Sequence, residues 1–172
     1  HQGVMVIRED FGFELPNQGH HFNGDTLYYR FTPAGSDHAQ VAACAGMADY
    51  MDDFSAHHGG GTGAVAARLA HDMMRAHEVA LLQPLLDYVS AKNSVRLIGP
   101  SDAAGRAPTV AMALNASALD AAAALAPLGI MAEGNDFYAG RPLMAMGVDL
   151  DLGVLRVSFV HYTQKAEVDR LI

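Results

Sequence analysis

The hydrophobic pattern changes period at Lys92, and that switch confines the chain to a mixed fold. Before Lys92, apolar residues recur at steps of three and four. Val41, Cys44, Ala48, Met51 and Phe54 mark one helical face, and Val65, Leu69, Met73, Ala76 and Ala80 mark the buried side of a second helix. After Lys92 the segments are short and alternate. SVRLIG over 94–99, TVAMALN over 109–115, IMAE over 130–133 and VLRVSFV over 154–160 read as strands. In the last of these, Leu155, Val157 and Phe159 face one way, and Arg156 and Ser158 the other.

Capping and breaking residues set the boundaries. Asp37, with Gln40 three positions on, opens the first long helix. GGGTG over 59–63 is expected to be a flexible linker. It lacks the Lys-Ser/Thr ending of a phosphate loop, and no strand precedes it. The second helix starts near Ala64, should kink or restart at Pro84, and ends near Ala91. Ser117 with Asp120 opens an alanine-rich helix that Gly129 closes. A helical turn is expected at 143–146, and Thr163 is expected to cap a last helix still running at Ile172. Toward the N-terminus, 2–8 and 27–31 read as short extended pieces. The polar stretch 12–25 between them has no packing face. Residues 94–172 then make an α+β lobe of about four strands with helices on one face.

Composition narrows the partners. Hydrophobic residues are 51% and charged residues 17%, so the chain can bury a core. A net charge of −8 argues against nucleic acid and anionic membrane surfaces, which need clustered Lys and Arg. The one cysteine excludes an internal disulfide and a cysteine zinc site, and points to a reducing, cytoplasmic setting. No apolar run is as long as a membrane span, and the first residues do not read as a signal peptide. The start at His1 rather than Met suggests a trimmed beginning or a piece of something longer. The nine histidines do not suggest a metal site. Adjacent ones point apart, His71 and His77 are six apart, and no HExxH is present. Cys44, on an apolar helical face, is expected to be a buried, inert thiol.

Several blocks resemble a known family. LIGPSDAAGRAPTVAMALN (97–115), LAPLGIMAEGNDFYA (125–139) and VLRVSFVHYTQKAEVDRLI (154–172) are similar to the C-terminal domain of the class V aminotransferase and cysteine desulfurase superfamily, fold-type I pyridoxal phosphate enzymes. HQGVMVIRED (1–10) resembles the segment after the cofactor lysine, and RFTPAGSDHAQVAACAGMADYM (30–51) the Arg-x-x-x-Gly-Thr loop with its helix. The resemblance implies an α+β (α/β) small domain at 94–172, a connecting helix at 64–93, and a remnant of the large cofactor domain at 1–63. It places the cofactor lysine just before His1, so this chain would be inactive alone. It implies pyridoxal phosphate in the whole enzyme, with His1, Arg30 and Ser36 on the cofactor side and Arg106, Asn135 and Tyr138 on the substrate side. Arg106 equally suits a structural tie between loop carbonyls, and Arg156 a structural pairing with an acid. Where desulfurases carry their cysteine this sequence has Tyr138, so persulfide chemistry is not expected. The implied partners are a second copy of the chain and a complementing N-terminal half. The competing expectation is a non-enzymatic dimerising or binding module, or a remnant fragment without selected activity.

Overall fold

The computed structural model describes residues 3–32, 35 and 37–172. They form two compact units, His1–Ala70 and His71–Ile172. The expected strand at 2–8 is absent: 3–8 form no secondary structure. Helix α1 (Glu9–Glu14) follows, then a 3-10 turn at His21–Asn23 and helix α2 (Leu27–Arg30). The expected extended piece at 27–31 is thus a helical turn. Its hydrogen bonds are local, with the Arg30 amide on the Thr26 carbonyl at 3.1 Å and the Thr32 hydroxyl on the Tyr28 carbonyl at 2.8 Å. A strand would have needed a partner, and no strand lies in this unit among the described residues.

Helix α3 (His38–His57) begins where the cap placed it. Asp37 accepts from the amides of Ala39 and Gln40 at 3.0 and 3.1 Å. Its apolar stripe is not buried as expected: Val41 and Ala48 are exposed, and Met51 and Phe54 half-buried. Cys44 is likewise half-buried, its thiol donating to the Gln40 carbonyl at 3.7 Å. A stripe of small residues at helical spacing specifies a phase, but the structure buries it only where something packs on it.

The glycine run is not a flexible linker but an ordered helix–helix turn. Ser55 is fully buried. Its hydroxyl donates to the Gly61 carbonyl at 2.8 Å, and its own carbonyl accepts from Gly60 at 2.8 Å. A Cβ on Gly60 would strike the Ser55 hydroxyl and the Leu69 side chain. Asp52 then accepts from the Gly63 amide at 2.8 Å, satisfying a first-turn donor of helix α4 (Gly63–Ser90).

Helix α4 runs unbroken through Pro84. Pro84 and Ala80, whose carbonyl loses its helical donor there, are both exposed, so water can take the place of the missing N–H. Its buried positions are Ala66, Ala70, Leu81, Leu82, Leu85, Leu86 and Val89. Val65 is 69% exposed, and Ala76 and Ala80 are exposed too, so the expected buried side is out of phase. The leucines set the phase, because they bury far more area than the alanines.

In the second unit, strands β1 (Val95–Ile98), β2 (Thr109–Leu114), β3 (Glu133–Asn135) and β4 (Val154–Ser158) form one antiparallel sheet in the order β1-β2-β4-β3. Strand β3 starts at the last residue of the expected 130–133 segment. Helices α5 (Ala118–Leu125), α6 (Gly140–Ala145) and α7 (Lys165–Leu171) complete it. Ser117 caps α5 as expected, accepting from the Asp120 amide at 3.2 Å. The cap of α7 is Gln164, in a capping box with Glu167; Thr163 instead accepts from the Val160 amide at 3.0 Å.

One sheet face, with Val110, Met112, Leu155 and Val157, packs on Leu82, Leu85 and Leu86 of α4, Ala118 and Ala122 of α5 and Val168 of α7. The other face is not bare, as helices on a single side would leave it. Val154, Ile98, Ala111 and Ala113 pack there with Leu143 of α6, Val148 and Phe137. The second face of an antiparallel sheet can stay wet, and here its apolar residues are small or few, so one short helix covers them.

Candidate substrate-side site

The turn between β3 and α6 holds the non-glycine residues with positive φ among the described residues. Asn135 ends β3, and its side-chain oxygen accepts from the Asp136 amide at 2.7 Å. Asp136 accepts in turn from the Tyr138 amide at 3.0 Å through its carboxylate and from the Ala139 amide at 2.9 Å through its carbonyl. Phe137 and Tyr138 are the two non-glycine residues with positive φ, 52° and 61°, among the described residues. Two consecutive left-handed residues with bulky side chains are costly, and persist only when the surroundings fix them. The result is a fully exposed Tyr138 ring beside a half-buried Phe137.

Arg106 lies elsewhere. It donates to the Pro100 carbonyl at 2.6 Å, the Thr109 carbonyl at 2.8 Å and the Ile98 carbonyl at 3.3 Å. Burial pulls its guanidinium below the usual arginine value, because desolvation disfavours the charge. Its position follows from the register. Asn135 pairs with Val154 and Thr109 with Ser158, so the two lie at opposite ends of β4, about 13 Å apart along the strand. The turn and Arg106 are therefore not brought together by the sheet.

Arg30, in the first unit, is engaged in the same manner as Arg106. It donates to the carbonyls of Leu15 at 2.5 Å, Gly24 at 2.8 Å and Phe13 at 3.2 Å, and lies 5.5 Å from the Phe13 ring centre. His1 and Ser36, the other cofactor-side candidates, lie outside the described residues. Arg156 does have the expected acidic neighbour. Glu133, its register partner, stands 3.7 Å away, and the guanidinium also sits 3.8 Å above the Phe137 ring.

Two concavities escaped the sequence reading, because residues far apart in the chain line them. A groove of about 300 Å³ at the Asn135 end of the sheet is lined by Ser94, Arg96, Asn115 and Asp149 among others; Arg96 donates to the Met146 carbonyl at 2.8 Å. In the first unit, Met5, Ile7, Leu27, Tyr28, Val41 and Cys44 help line a wider apolar one of about 860 Å³. Among the described residues, no group of three or more His, Cys, Asp or Glu is placed to hold a metal ion. Among the described residues no helix is long and apolar enough to cross a membrane.

The comparisons with known proteins bear on the second unit above all. No curated protein matches the chain. Among solved structures, the cysteine desulfurase CsdA of Escherichia coli is 21% identical with a TM-score of 0.48, over 65% of this chain and 30% of that one. A NifS-like protein is 24% identical with a TM-score of 0.44, over 63% of this chain and 32% of that one. The matched part is thus about a third of either relative's length. Residues 61–171, all four strands and the helices packed on them, match the family model of class-V aminotransferases. Well over half the chain is covered, and the protein belongs to the class-V aminotransferase family.

Proposed function

We propose that the chain is the C-terminal part of a pyridoxal phosphate-dependent enzyme that acts on an amino acid. The observation that carries this reading is the family match over 61–171, which contains the Asn135–Tyr138 turn and Arg106. In the proposal the turn presents Asn135 and Tyr138 to the substrate. Arg106 shapes its own loop at the opposite end of β4, its two terminal nitrogens being committed to three carbonyls. Desulfuration through a persulfide is not part of the proposal. The one thiol, Cys44, belongs to the first unit, and the exposed side chain of the turn is a tyrosine.

In the proposal the cofactor lysine is neither of this chain's own two, Lys92 and Lys165. A pyridoxal cofactor is held through a lysine amine. Lys165 is on the surface, paired with Asp169 at 2.6 Å, and Lys92 lies 4.3 Å over the Tyr88 ring just beyond α4. Both lysines are exposed. The chain alone is therefore expected to take up no cofactor covalently. The test is cofactor titration, borohydride reduction and mass spectrometry on this chain and on the product of any reading frame that extends upstream of His1. The expected result is one adduct, on an upstream lysine of the longer product, and no stoichiometric adduct on the chain alone. An adduct on Lys92 or Lys165 overturns the assignment of the cofactor side. A longer product that carries a lysine and stays unmodified favours the binding-module reading.

The proposed assembly is a homodimer built through the first unit. Val4, Met5, Val6, Phe22 and Met47 are all exposed there, with Val6 at 94%. Apolar surface of this extent is seldom left to water, and two-fold pairing is the commonest way to cover it. Sedimentation equilibrium should give twice the 18.2 kDa chain mass. A mass that stays at one chain into the high micromolar range removes the dimer from the proposal.

A further inference from the structure

We propose that Asn23–Gly24 is a self-modification site, at which the Asn23 side chain cyclises onto the Gly24 nitrogen and is converted to isoaspartate. The site lies in the first unit and does not depend on the enzyme reading.

The asparagines are Asn17, Asn23, Asn93, Asn115 and Asn135, and Asn23 alone is followed by glycine. The reaction needs a side-chain carboxamide and a following backbone nitrogen that can meet it. A side chain on the following residue shields that nitrogen and stiffens the backbone; glycine does neither. The Asn23 carboxamide makes no hydrogen bond among the described residues. Asn17, by contrast, is engaged at both ends. Its oxygen accepts from the Gly19 amide at 3.0 Å, and its nitrogen donates to the His20 carbonyl at 3.0 Å. The Asn135 oxygen accepts from the Asp136 amide at 2.7 Å. Asn93 and Asn115 are followed by serine and alanine.

The fold does not need a glycine at 24. Gly24 has ordinary right-handed backbone, with φ −67° and ψ −18°. A Cβ there would meet no atom nearer than the Asn17 side-chain nitrogen at 3.5 Å, a normal contact. The missing side chain serves no turn and no close approach, and it leaves the nitrogen unshielded. Asn23 is also the last residue of the 3-10 turn His21–Asn23. So short a 3-10 turn opens readily, and its last residue can rotate without unwinding a longer helix. Beside it stands the Arg30 guanidinium, which donates to the Gly24 carbonyl at 2.8 Å. A cation held there favours the amide anion that attacks.

Water or hydroxide removes the Gly24 amide proton. The nitrogen bonds to Asn23 Cγ, the Cγ–Nδ2 bond breaks, and ammonia leaves with a proton. Water then opens the five-membered imide. Attack at the backbone carbonyl gives isoaspartate, with the main chain running through Cβ and Cγ; attack at Cγ gives aspartate. Nothing is oxidised or reduced, and the chain gains one negative charge on its formal −8. The isoaspartate inserts one backbone carbon before Gly24 and carries the Gly24 carbonyl off Arg30. Arg30 also holds the Leu15 and Phe13 carbonyls, and its own carbonyl accepts from the Gln18 and Gly19 amides at 2.7 and 2.8 Å. The modification therefore loosens the whole loop gathered on Arg30.

The test holds the 172-residue chain at mildly alkaline pH for several days and follows each asparagine by peptide mass spectrometry. Isoaspartyl methyltransferase is the probe for the rearranged product. Asn23 should convert at least about tenfold faster than any other asparagine, and within about tenfold of a free peptide of residues 20–27. Gly24→Ala should keep the circular dichroism spectrum and slow the conversion by about tenfold or more. The isoaspartyl chain, separated by ion exchange, should exchange its Gln18 and Gly19 amides about fivefold faster than the parent. Asn23→Asp carries the charge without the extra carbon and should exchange them as the parent does. Conversion at Asn23 no faster than at the other asparagines overturns the proposal. So does conversion more than about tenfold slower than in the peptide, which would mean that the turn shields the site. So does a Gly24→Ala variant that converts at the parent rate. Unchanged Gln18 and Gly19 exchange in the isoaspartyl chain, or equally fast exchange in Asn23→Asp, overturns the link from the inserted carbon to Arg30.

Discussion

Gly134→Ala is expected to destabilise the second unit by about 3–5 kcal/mol, among the larger single-substitution effects. Gly134 is the buried middle residue of β3. A Cβ there would land on the carbonyl group of Ala118 and the amide nitrogen of Leu119, in the first turn of α5. Those are backbone atoms, so no rotamer change relieves the clash. The first turn of α5 is also anchored from both sides: Ser117 caps it, and the Ala118 amide donates to the Leu152 carbonyl at 2.9 Å. Either β3 or α5 must move, and Asn135 and the following turn would move with β3. Urea unfolding followed by circular dichroism should show a lower midpoint with an unchanged slope. Gly105→Ala is the control, since its Cβ would meet no atom nearer than a carboxylate oxygen at 4.0 Å. A Gly134→Ala midpoint equal to that control would mean that β3 and α5 are not in contact as described.

Arg106→Ala is expected to cost about 2–3 kcal/mol, the range for lost hydrogen bonds from a charged donor that leave acceptors unpaired. Its guanidinium joins the end of β1 at Ile98, the loop at Pro100 and the start of β2 at Thr109. Arg106→Lys should recover less than half of the loss. An ammonium is a point donor and cannot span three carbonyls as a planar fork does. The same measurement decides between the two roles open to this residue. An arginine kept for a substrate carboxylate would be dispensable for stability, so an Arg106→Ala variant as stable as the parent would return it to the binding residues.

Features carried by neighbouring residues were legible in the sequence. Asp37 and Ser117 cap their helices because an N-cap is a contact across two or three residues, whatever packs around it. The alternation in 154–160 was legible for a related reason, since a strand must separate its faces wherever it lies. The family resemblance was legible in three blocks, and the family match falls over the same part of the chain. The misread pieces are those whose state depends on a partner. Residues 27–31 have strand-forming composition but no strand beside them, and they close as a helical turn. The glycine run looked free until the buried Ser55 hydroxyl was seen to hold it. The buried side of α4 was placed on Val65, Leu69, Met73, Ala76 and Ala80, while the sheet selected the leucines that follow.

The candidate residues divide on the same line. The sequence by itself determined which residues could do chemistry: a single thiol, two lysines and a few arginines beside turns. It also determined the class of fold, because the change of period at Lys92 and the capping residues act through short-range geometry. What each arginine does was decided only by tertiary structure. Arg30 and Arg106 are each drawn onto three backbone carbonyls, while Arg156 keeps a carboxylate and an aromatic ring. The physical reason is that a guanidinium bonds to whatever acceptors lie within its reach, and strand register, not chain neighbourhood, sets which acceptors those are. Register arises from pairing between segments distant in sequence, so the identity of an arginine is local information and its role is not.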